Sequence, residues 1–137
     1  MKIILIVFFL ILSLHSKDVS ELKVEILSAI SHSLMHKDKI NIYVDDPTLS
    51  KNKNKNIKLS FVEYKNADIV FTSDVNIVKS LDNKAIVFAT TYYAYAHLPH
   101  AVGAFFWQKG RPNIIFSEKR LKELSIKLPN KFDKYIE

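Results

Sequence analysis

Two pairs of histidines are the first residues in this sequence whose spacing could support chemistry. His32 and His36 stand four positions apart in a helical pattern, so one helix face could present both imidazoles to a metal ion. His97 and His100 form a second close pair. Nothing in the sequence brings the two pairs together, and His36 is better explained as a side chain that caps the end of its helix. We therefore predict no metal site and no cofactor.

Carboxylates at the ends of apolar runs are the second set of candidates. Asp45 and Asp46 follow one such run, Asp68 begins another, and Asp74 lies just after its end. Binding sites of open α/β sheets form at strand carboxyl ends, and paired aspartates could bind a cation. Asp-Asp-Pro is also a common turn, which explains it more simply. Because no serine lies in a Gly-x-Ser-x-Gly elbow, we predict no enzymatic activity.

An aromatic cluster between positions 92 and 107 is the strongest signal of binding. Such residues anchor protein interfaces and also line pockets for small ligands. Phe105 and Trp107 share one face of a predicted strand and Phe106 takes the other, so at least one face must be buried. The sequence leaves open which face is exposed, and we expect about half of the aromatic residues to be structural. The predicted partner-binding or ligand-binding residues are Tyr92, Tyr93, Tyr95, Phe106, Trp107 and Arg111.

Composition excludes several other classes of protein. A chain of 137 residues has room for one domain, and contents of 48% hydrophobic and 12% aromatic residues exclude a disordered tail. The sequence has no cysteine, which excludes disulfides, thiolate metal ligands and a cysteine nucleophile. Its two glycines, Gly103 and Gly110, are too few for a glycine-rich phosphate loop.

The first 16 residues have the pattern of a secretory signal peptide. Lys2 precedes an apolar run that is too short to span a bilayer, which needs about 20 residues. We expect cleavage after Ser16, with an uncleaved membrane anchor as the alternative, because Leu14 is large for a cleavage site. Cleavage leaves 121 residues and a formal charge of +5 instead of +6. The predicted location is the periplasm, where a basic chain without a recognition motif gives no reason to expect nucleic-acid binding.

The remaining chain, residues 17–137, alternates helical and strand patterns. The first helix, residues 20–37, has an apolar face that the 3.6-residue period assigns to Val19, Leu22, Ile26, Ala29, Ile30 and Ser33, with Leu27 and Leu34 at its margin. The predicted strands are residues 39–44, 57–62, 67–71, 85–89, 101–107 and 113–116, the last two as a hairpin. Short helices are predicted at 75–81, 118–125 and 129–136, and residues 90–100 are predicted to form a loop. The pattern predicts one α/β domain with a mixed sheet of five to six strands, flanked by helices, and a C-terminal hairpin followed by two short helices.

Several of these runs together resemble the YfiR-like family of periplasmic regulators. The similar segments are KINIYV at 39–44, ADIVFTS at 67–73, AIVFA at 85–89 and AVGAFFW at 101–107. They also include NIIF at 113–116 and the leucine-rich residues 121–128, and the resemblance covers residues 38–137. This chain departs from the family in having a Lys/Asn loop where members have a helix after the first strand, and in lacking cysteine.

The resemblance implies a non-enzymatic regulator that restrains an inner-membrane sensor or diguanylate cyclase through a periplasmic contact. The missing cysteines imply that control through a disulfide does not operate here. The alternative is a small solute-binding domain for a polar metabolite, built as a single lobe because 121 residues are about half of a two-lobed receptor. The sequence does not determine the oligomeric state.

Overall fold

The computed structural model describes residues 19–52, 58–81 and 84–137. Six strands form one sheet in the order β2-β1-β3-β4-β5-β6. The strands are β1 (Ile40–Val44), β2 (Leu59–Phe61), β3 (Ile69–Phe71), β4 (Ile86–Ala89), β5 (Ala101–Gln108) and β6 (Arg111–Phe116). The first five strands are parallel and β6 is antiparallel to β5, so the prediction of a mixed α/β sheet is confirmed.

Helices connect the parallel strands and cover both faces of the sheet. The helices are α1 (Val19–Leu34), α2 (Val75–Ser80), α3 (Tyr92–His97) and α4 (Glu118–Glu123), with 3-10 helices at Pro47–Asn52, Tyr64–Asn66 and Asn130–Tyr135. The strand order reverses between β1 and β3, which are neighbours on either side of the switch point of a doubly wound sheet. Sites in such sheets form at the carboxyl ends of the strands, an edge that we call the carboxyl edge.

The two faces of the sheet are packed differently. The face under α1, which we call the α1 face, buries large residues that include Leu27, Ile42, Phe71, Phe88, Phe116 and Phe132. The opposite face, which we call the α3 face, buries a smaller cluster around Val87, Ala89, Ala94, Leu98, Ala101 and Ala104. Most of the buried apolar volume therefore lies between α1, the C-terminal segment and the sheet.

The predicted apolar face of α1 is correct in part, since Ile30 and Ser33 are buried as predicted. Val19 and Ala29, which the prediction placed on the buried face, are exposed. The buried positions are Val24, Leu27, Ile30, Ser31, Ser33 and Leu34. Two serines lie among them, and the Ser33 hydroxyl donates to the carbonyl of Ile30 at 2.6 Å. Leu27 and Leu34, predicted at the margin, lie fully on the buried side, together with Ser31, whose polar side chain weakens the apolar periodicity there.

Residues 90–100 contain a helix and not the predicted loop. Thr91 caps α3, because its side-chain oxygen accepts from the backbone N–H of Ala94 at 3.1 Å. The helix has six residues, and of these Ala94 alone is buried. A run rich in tyrosine has a low helix propensity, so the cap and the packing of Ala94 against the sheet determine this conformation.

The predicted C-terminal hairpin is confirmed. A two-residue turn at Lys109 and Gly110 joins β5 to β6, with φ angles of 54° and 74°. Positive φ at both positions is typical of the type I′ turn, whose twist matches that of paired strands. Ser117 caps α4, because its side-chain oxygen accepts from the backbone N–H of Arg120. The last predicted helical segment is the 3-10 helix Asn130–Tyr135, whose Phe132 is buried.

One extra residue in β5 sets the direction of every side chain that follows it. Val87 pairs with Ala101, but the next residue, Phe88, pairs with Gly103, so β5 contains a bulge at Val102. After the bulge, Phe105 packs on the α1 face and Phe106 on the α3 face. The separation of these two side chains onto opposite faces is as predicted.

Some predictions fall outside the described residues. The signal peptide at residues 1–16, and residues 53–57 of the Lys/Asn loop and of the start of the second predicted strand, are among them. In the described part of the chain, no helix has both the length and the apolar character required to cross a bilayer.

Candidate functional site

Polar side chains from three neighbouring strands meet at the carboxyl edge. The Thr72 hydroxyl, just after β3, donates to Oδ2 of Asp45, just after β1, at 2.6 Å. The hydroxyl oxygens of Ser73 and Thr90 lie 2.7 Å apart, which joins the ends of β3 and β4. The Ser73 oxygen also accepts from the backbone N–H of Thr90 at 3.2 Å. These bonds fix the strand ends relative to one another and place hydroxyl and carboxylate groups at a common edge.

A cleft opens at this edge between α1 and the hairpin. Ala89, the last residue of β4, pairs with Ala104, so β5 continues for roughly 13 Å beyond the neighbouring strand, given about 3.3 Å per residue. The projecting hairpin forms one wall, and the first half of α1 forms the other. The cleft has a volume of about 300 Å³ and is lined by Lys23, Leu27, Val44, Asp45, Asp46, Pro47, Leu49, Thr90, Phe105, Phe106 and Trp107.

Charges of both signs line the cleft. The Lys23 ammonium lies 3.6 Å from Oδ2 of Asp46 and 5.8 Å from the centre of the Trp107 ring. The other carboxylate oxygen of Asp46 accepts from the hydroxyl and the backbone N–H of Thr48, at 2.6 and 3.0 Å. Burial alone would raise the pKa of Asp46, but the two bonds from Thr48 and the charge of Lys23 outweigh it and lower that pKa. Asp46 is therefore a carboxylate held by its own loop.

Negative charges also surround Tyr43, near the end of β1. Burial raises the pKa of the Tyr43 hydroxyl, and the negative charges of Asp45 and Asp74 raise it further. This carboxyl edge thus carries a local negative field on a chain whose formal charge is +6.

An exposed aromatic surface adjoins the cleft on the α3 face. Tyr92 and Tyr93 begin α3 and are 56% and 72% exposed. The Tyr92 ring contacts Phe106 of the hairpin, with ring centres 6.2 Å apart, and the Tyr93 ring stacks on His97 at 4.1 Å. We call these four residues the α3 aromatic surface. Exposed tyrosines of this kind are typical of interfaces.

The exposed large hydrophobic residues of the described chain all lie at the starts of helices that begin at the carboxyl edge. Those residues are Val19, Val75, Tyr92 and Tyr93, at the first turns of α1, α2 and α3. α2 and α3 directly follow parallel strands, and α1 runs antiparallel to β1, so all three helices begin at the same edge. Both the cleft and the exposed apolar residues therefore mark the carboxyl edge as the candidate functional region.

The six sequence-predicted site residues do not form one surface. Tyr92, Tyr93 and Phe106 come together on the α3 face, whereas Trp107 lines the cleft on the α1 face. Tyr95 turns inward and packs against the sheet, where burial first, and then the charge of Glu137, raise the pKa of its hydroxyl. Arg111 is exposed at the tip of the hairpin, paired in register with Gln108.

The histidines do not converge within the described chain. Nδ1 of His32 lies 2.8 Å from the carbonyl oxygen of Ser28, and Nδ1 of His97 lies 2.8 Å from that of Tyr93. His36 and His100 are exposed. In residues 19–52, 58–81 and 84–137, no three His, Asp or Glu side chains are arranged to hold a metal ion.

Sequence reasoning missed Lys23 as a cleft residue and explained Asp45 as part of a turn. Lys23 lies off the predicted apolar face, and that face was itself predicted correctly only in part, so nothing marked its side chain as directed toward the sheet edge. The rule that sites form at strand carboxyl ends did indicate Asp45, and it also indicates Thr90, which follows β4 directly. Placing α1 antiparallel to β1 would have brought Lys23 to the same edge.

Comparisons with known proteins bear on the fold alone. No family model matches the chain, and no curated protein matches it. A solved structure, described as a conserved domain protein from Vibrio cholerae O1 biovar eltor, is similar, with a TM-score of 0.53 and 13% sequence identity. The match covers 86% of this chain and 59% of that one, so this chain spans less than two thirds of the length of its neighbour.

Proposed function

We propose that this protein is an exported, non-enzymatic binding module of the YfiR-like kind, which restrains an inner-membrane sensor or diguanylate cyclase by contact in the periplasm. The observation that carries the proposal is the exposure of Tyr92 and Tyr93 side by side at the carboxyl edge. The parallel sheet places these tyrosines on a rigid scaffold, which lowers the entropy cost of docking. The resemblance of residues 38–137 to that family adds the class of partner.

The exposure and contacts of Tyr92 and Tyr93 favour a role in an interface over a role in the core. Tyr95 packs inward against the sheet, whereas Tyr92 and Tyr93, in the turn before it, are exposed. The Tyr92 ring contacts Phe106 and the Tyr93 ring stacks on His97, and each contact favours one orientation of its ring before a partner binds. Preorganised aromatic rings are the typical anchors of a protein interface.

Crosslinking in living cells tests this proposal. A photo-activated benzophenone amino acid replaces Tyr93 in the full chain, and the crosslinked product is identified by mass spectrometry. We expect an inner-membrane protein with a cyclase or kinase output domain. Tyr93→Ala is expected to lose the partner, and Arg111→Ala to weaken binding by a smaller factor.

The matched control places the same crosslinker at Lys65. Lys65 is exposed on a 3-10 helix and lines a depression near the amino ends of β3 and β4, away from the α3 aromatic surface. The same product from position 65, or no membrane protein from position 93, would contradict the proposal.

The cleft supports a second candidate function, in which the domain binds a small polar solute. A volume of about 300 Å³ is at the lower end of the range for ligand pockets, and its walls combine apolar side chains with a few charged ones. A ligand that binds the native state alone raises the melting temperature. A thermal-shift screen of polar metabolites is expected to give at least one shift that Asp45→Asn removes, and a screen without any shift counts against this function.

A further inference from the structure

The chain places one of its own cations inside the cleft. The Lys23 ammonium lies between the Asp46 carboxylate, at 3.6 Å, and the Trp107 ring, at 5.8 Å. The side chain of Lys23 is 29% exposed, so most of its length lies against the cleft wall. An ammonium near both a carboxylate and an indole face is a recurrent arrangement for recognising amines.

Neither contact of Lys23 is tight. A charge-assisted N–H···O bond has a heavy-atom distance of about 2.7–2.9 Å, and cation–π attraction extends to about 6 Å from the ring centre. The distance of 3.6 Å is longer than that of a charge-assisted hydrogen bond, and 5.8 Å lies near the limit of cation–π attraction. Because Asp46 keeps its two bonds from Thr48, Lys23 can move away without leaving that carboxylate unpaired.

A second carboxylate in the cleft retains acceptor capacity. The Thr72 hydroxyl donates to Oδ2 of Asp45, and Oδ1 has no hydrogen-bond partner among the described residues. With Asp45, Asp46 and Lys23 in its lining, the cleft has a formal charge of −1 on a chain of +6. Phe105 and the indole of Trp107 supply apolar walls for the rest of a ligand.

We propose that the cleft binds a small organic cation, an ammonium group on a short apolar body. The ammonium is held by the Asp45 carboxylate and the face of Trp107, and Lys23 is displaced toward solvent. This inference rests on the second candidate function and names the class of its ligand. It is independent of partner binding through the α3 aromatic surface.

Four probes of matched length and different charge test the inference on the purified protein. These are n-butylammonium, n-butanol, butyrate and 4-aminobutyrate, titrated at constant ionic strength. Trp107 is the single tryptophan of the chain and lines the cleft, so its fluorescence reports binding at the site directly. We expect n-butylammonium to bind about tenfold more tightly than n-butanol or butyrate, because a carboxylate and an indole face favour positive charge.

Three substitutions separate this site from a non-specific effect of charge. Asp45→Asn keeps an oxygen for the Thr72 hydroxyl and removes the negative charge, so n-butylammonium is expected to bind about tenfold more weakly. Lys23→Met keeps the apolar stem and removes the competing ammonium, so binding is expected to tighten about threefold. Asp133→Asn removes the same charge from an exposed position outside the cleft and is expected to change nothing.

The outcomes also separate this inference from the function on which it rests. Preferential binding of butyrate or of 4-aminobutyrate would overturn the organic-cation inference and leave solute binding intact. If none of the four probes binds, the inference is overturned and solute binding is weakened with it. An equal loss of affinity in Asp45→Asn and Asp133→Asn would show a general charge effect and would likewise overturn the inference.

Discussion

The two faces of the sheet are packed with side chains of different size. On the α1 face, four phenylalanines form a continuous row of ring contacts, with centres 5.4–5.5 Å apart, through Phe71, Phe88, Phe116 and Phe132. On the α3 face, the sheet and helix meet through Ala89, Ala94, Ala101 and Ala104. Large rings bury much apolar area, whereas alanines bury little and allow a helix to approach closely.

Because of this difference, we expect the α1 face to supply most of the stability, and our proposed function places partner binding on the α3 face. The α1 face joins α1, all six strands and the C-terminal segment into one core. The short helix α3 contributes one buried residue and leaves Tyr92 and Tyr93 in solvent. Substitutions on the α1 face should therefore cost more stability than those on the α3 face, and the following predictions test that comparison.

The largest effect is expected at Phe116. This side chain is fully buried and contacts the rings of both Phe88 and Phe132, so Phe116→Ala removes the middle of the row. We expect the free energy of unfolding to fall by about 3–5 kcal/mol. Urea denaturation followed by circular dichroism measures it. Leu98→Ala, on the α3 face, is the control and should cost about 2 kcal/mol, and a larger cost there would reverse the comparison.

The next largest loss of stability is expected at Gly103, which follows the bulge in β5 and pairs with Phe88. A Cβ at this position would collide with the carbonyl oxygen of Ile115 and lie 2.8–2.9 Å from the ring of Phe88. Gly103→Ala is expected to reduce the free energy of unfolding by about 3 kcal/mol. Gly110→Ala is the matched control, because a Cβ there meets no atom within 4 Å. Its positive φ should cost about 1 kcal/mol, and equal costs at both glycines would exclude the steric explanation.

A smaller effect is expected on the α3 face from the cap of α3. Thr91→Ala removes the acceptor for the N–H of Ala94 and should cost about 1 kcal/mol. Hydrogen exchange should show faster exchange of the amides of Ala94 and Tyr95, with amides of the α1 face unchanged. Thr91→Ser should restore protection, and a uniform increase in exchange would indicate that α3 is part of the main core.

The smallest effect is a dependence of stability on pH at the cleft. The pKa of Asp46 is lowered in the folded protein, so its carboxylate stabilises the native state above the unfolded-state pKa of about 4. That contribution is lost as the pH falls through the folded pKa. We expect Asp46→Asn to be less stable than the parent at neutral pH and equal to it in acid, as measured by denaturant midpoints. A difference that persists at the acid end would exclude this explanation.

The sequence predicted the fold better than the site. The alternation of short apolar runs with helical patterns was sufficient for one α/β domain, since local periodicity survives in the folded state. The Ser117 cap and the hairpin could be predicted, because caps and turns depend on residue type at fixed positions, but the turn itself is shorter than the predicted gap between residues 107 and 113. The buried face of α1 could be predicted only in part, since the polar residue Ser31 is buried and the apolar residue Val19 is exposed. The cleft was missed because its walls come from α1 and β5, which are far apart in sequence.

The sequence by itself determined the local features of the chain. These are the strands, the helix caps, a turn, a glycine at position 103 and a run of aromatic residues between 92 and 107. What only the tertiary structure decided was the direction in which those aromatic residues point. Strand side chains alternate with a period of two, so the extra residue at Val102 moves every later side chain of β5 to the opposite face. That single shift sends Trp107 into the cleft with Lys23 and Phe106 to the side of Tyr92. The bulge exists because β5 pairs with β4 in this register, and a local sequence pattern holds no information about which residues of two strands pair.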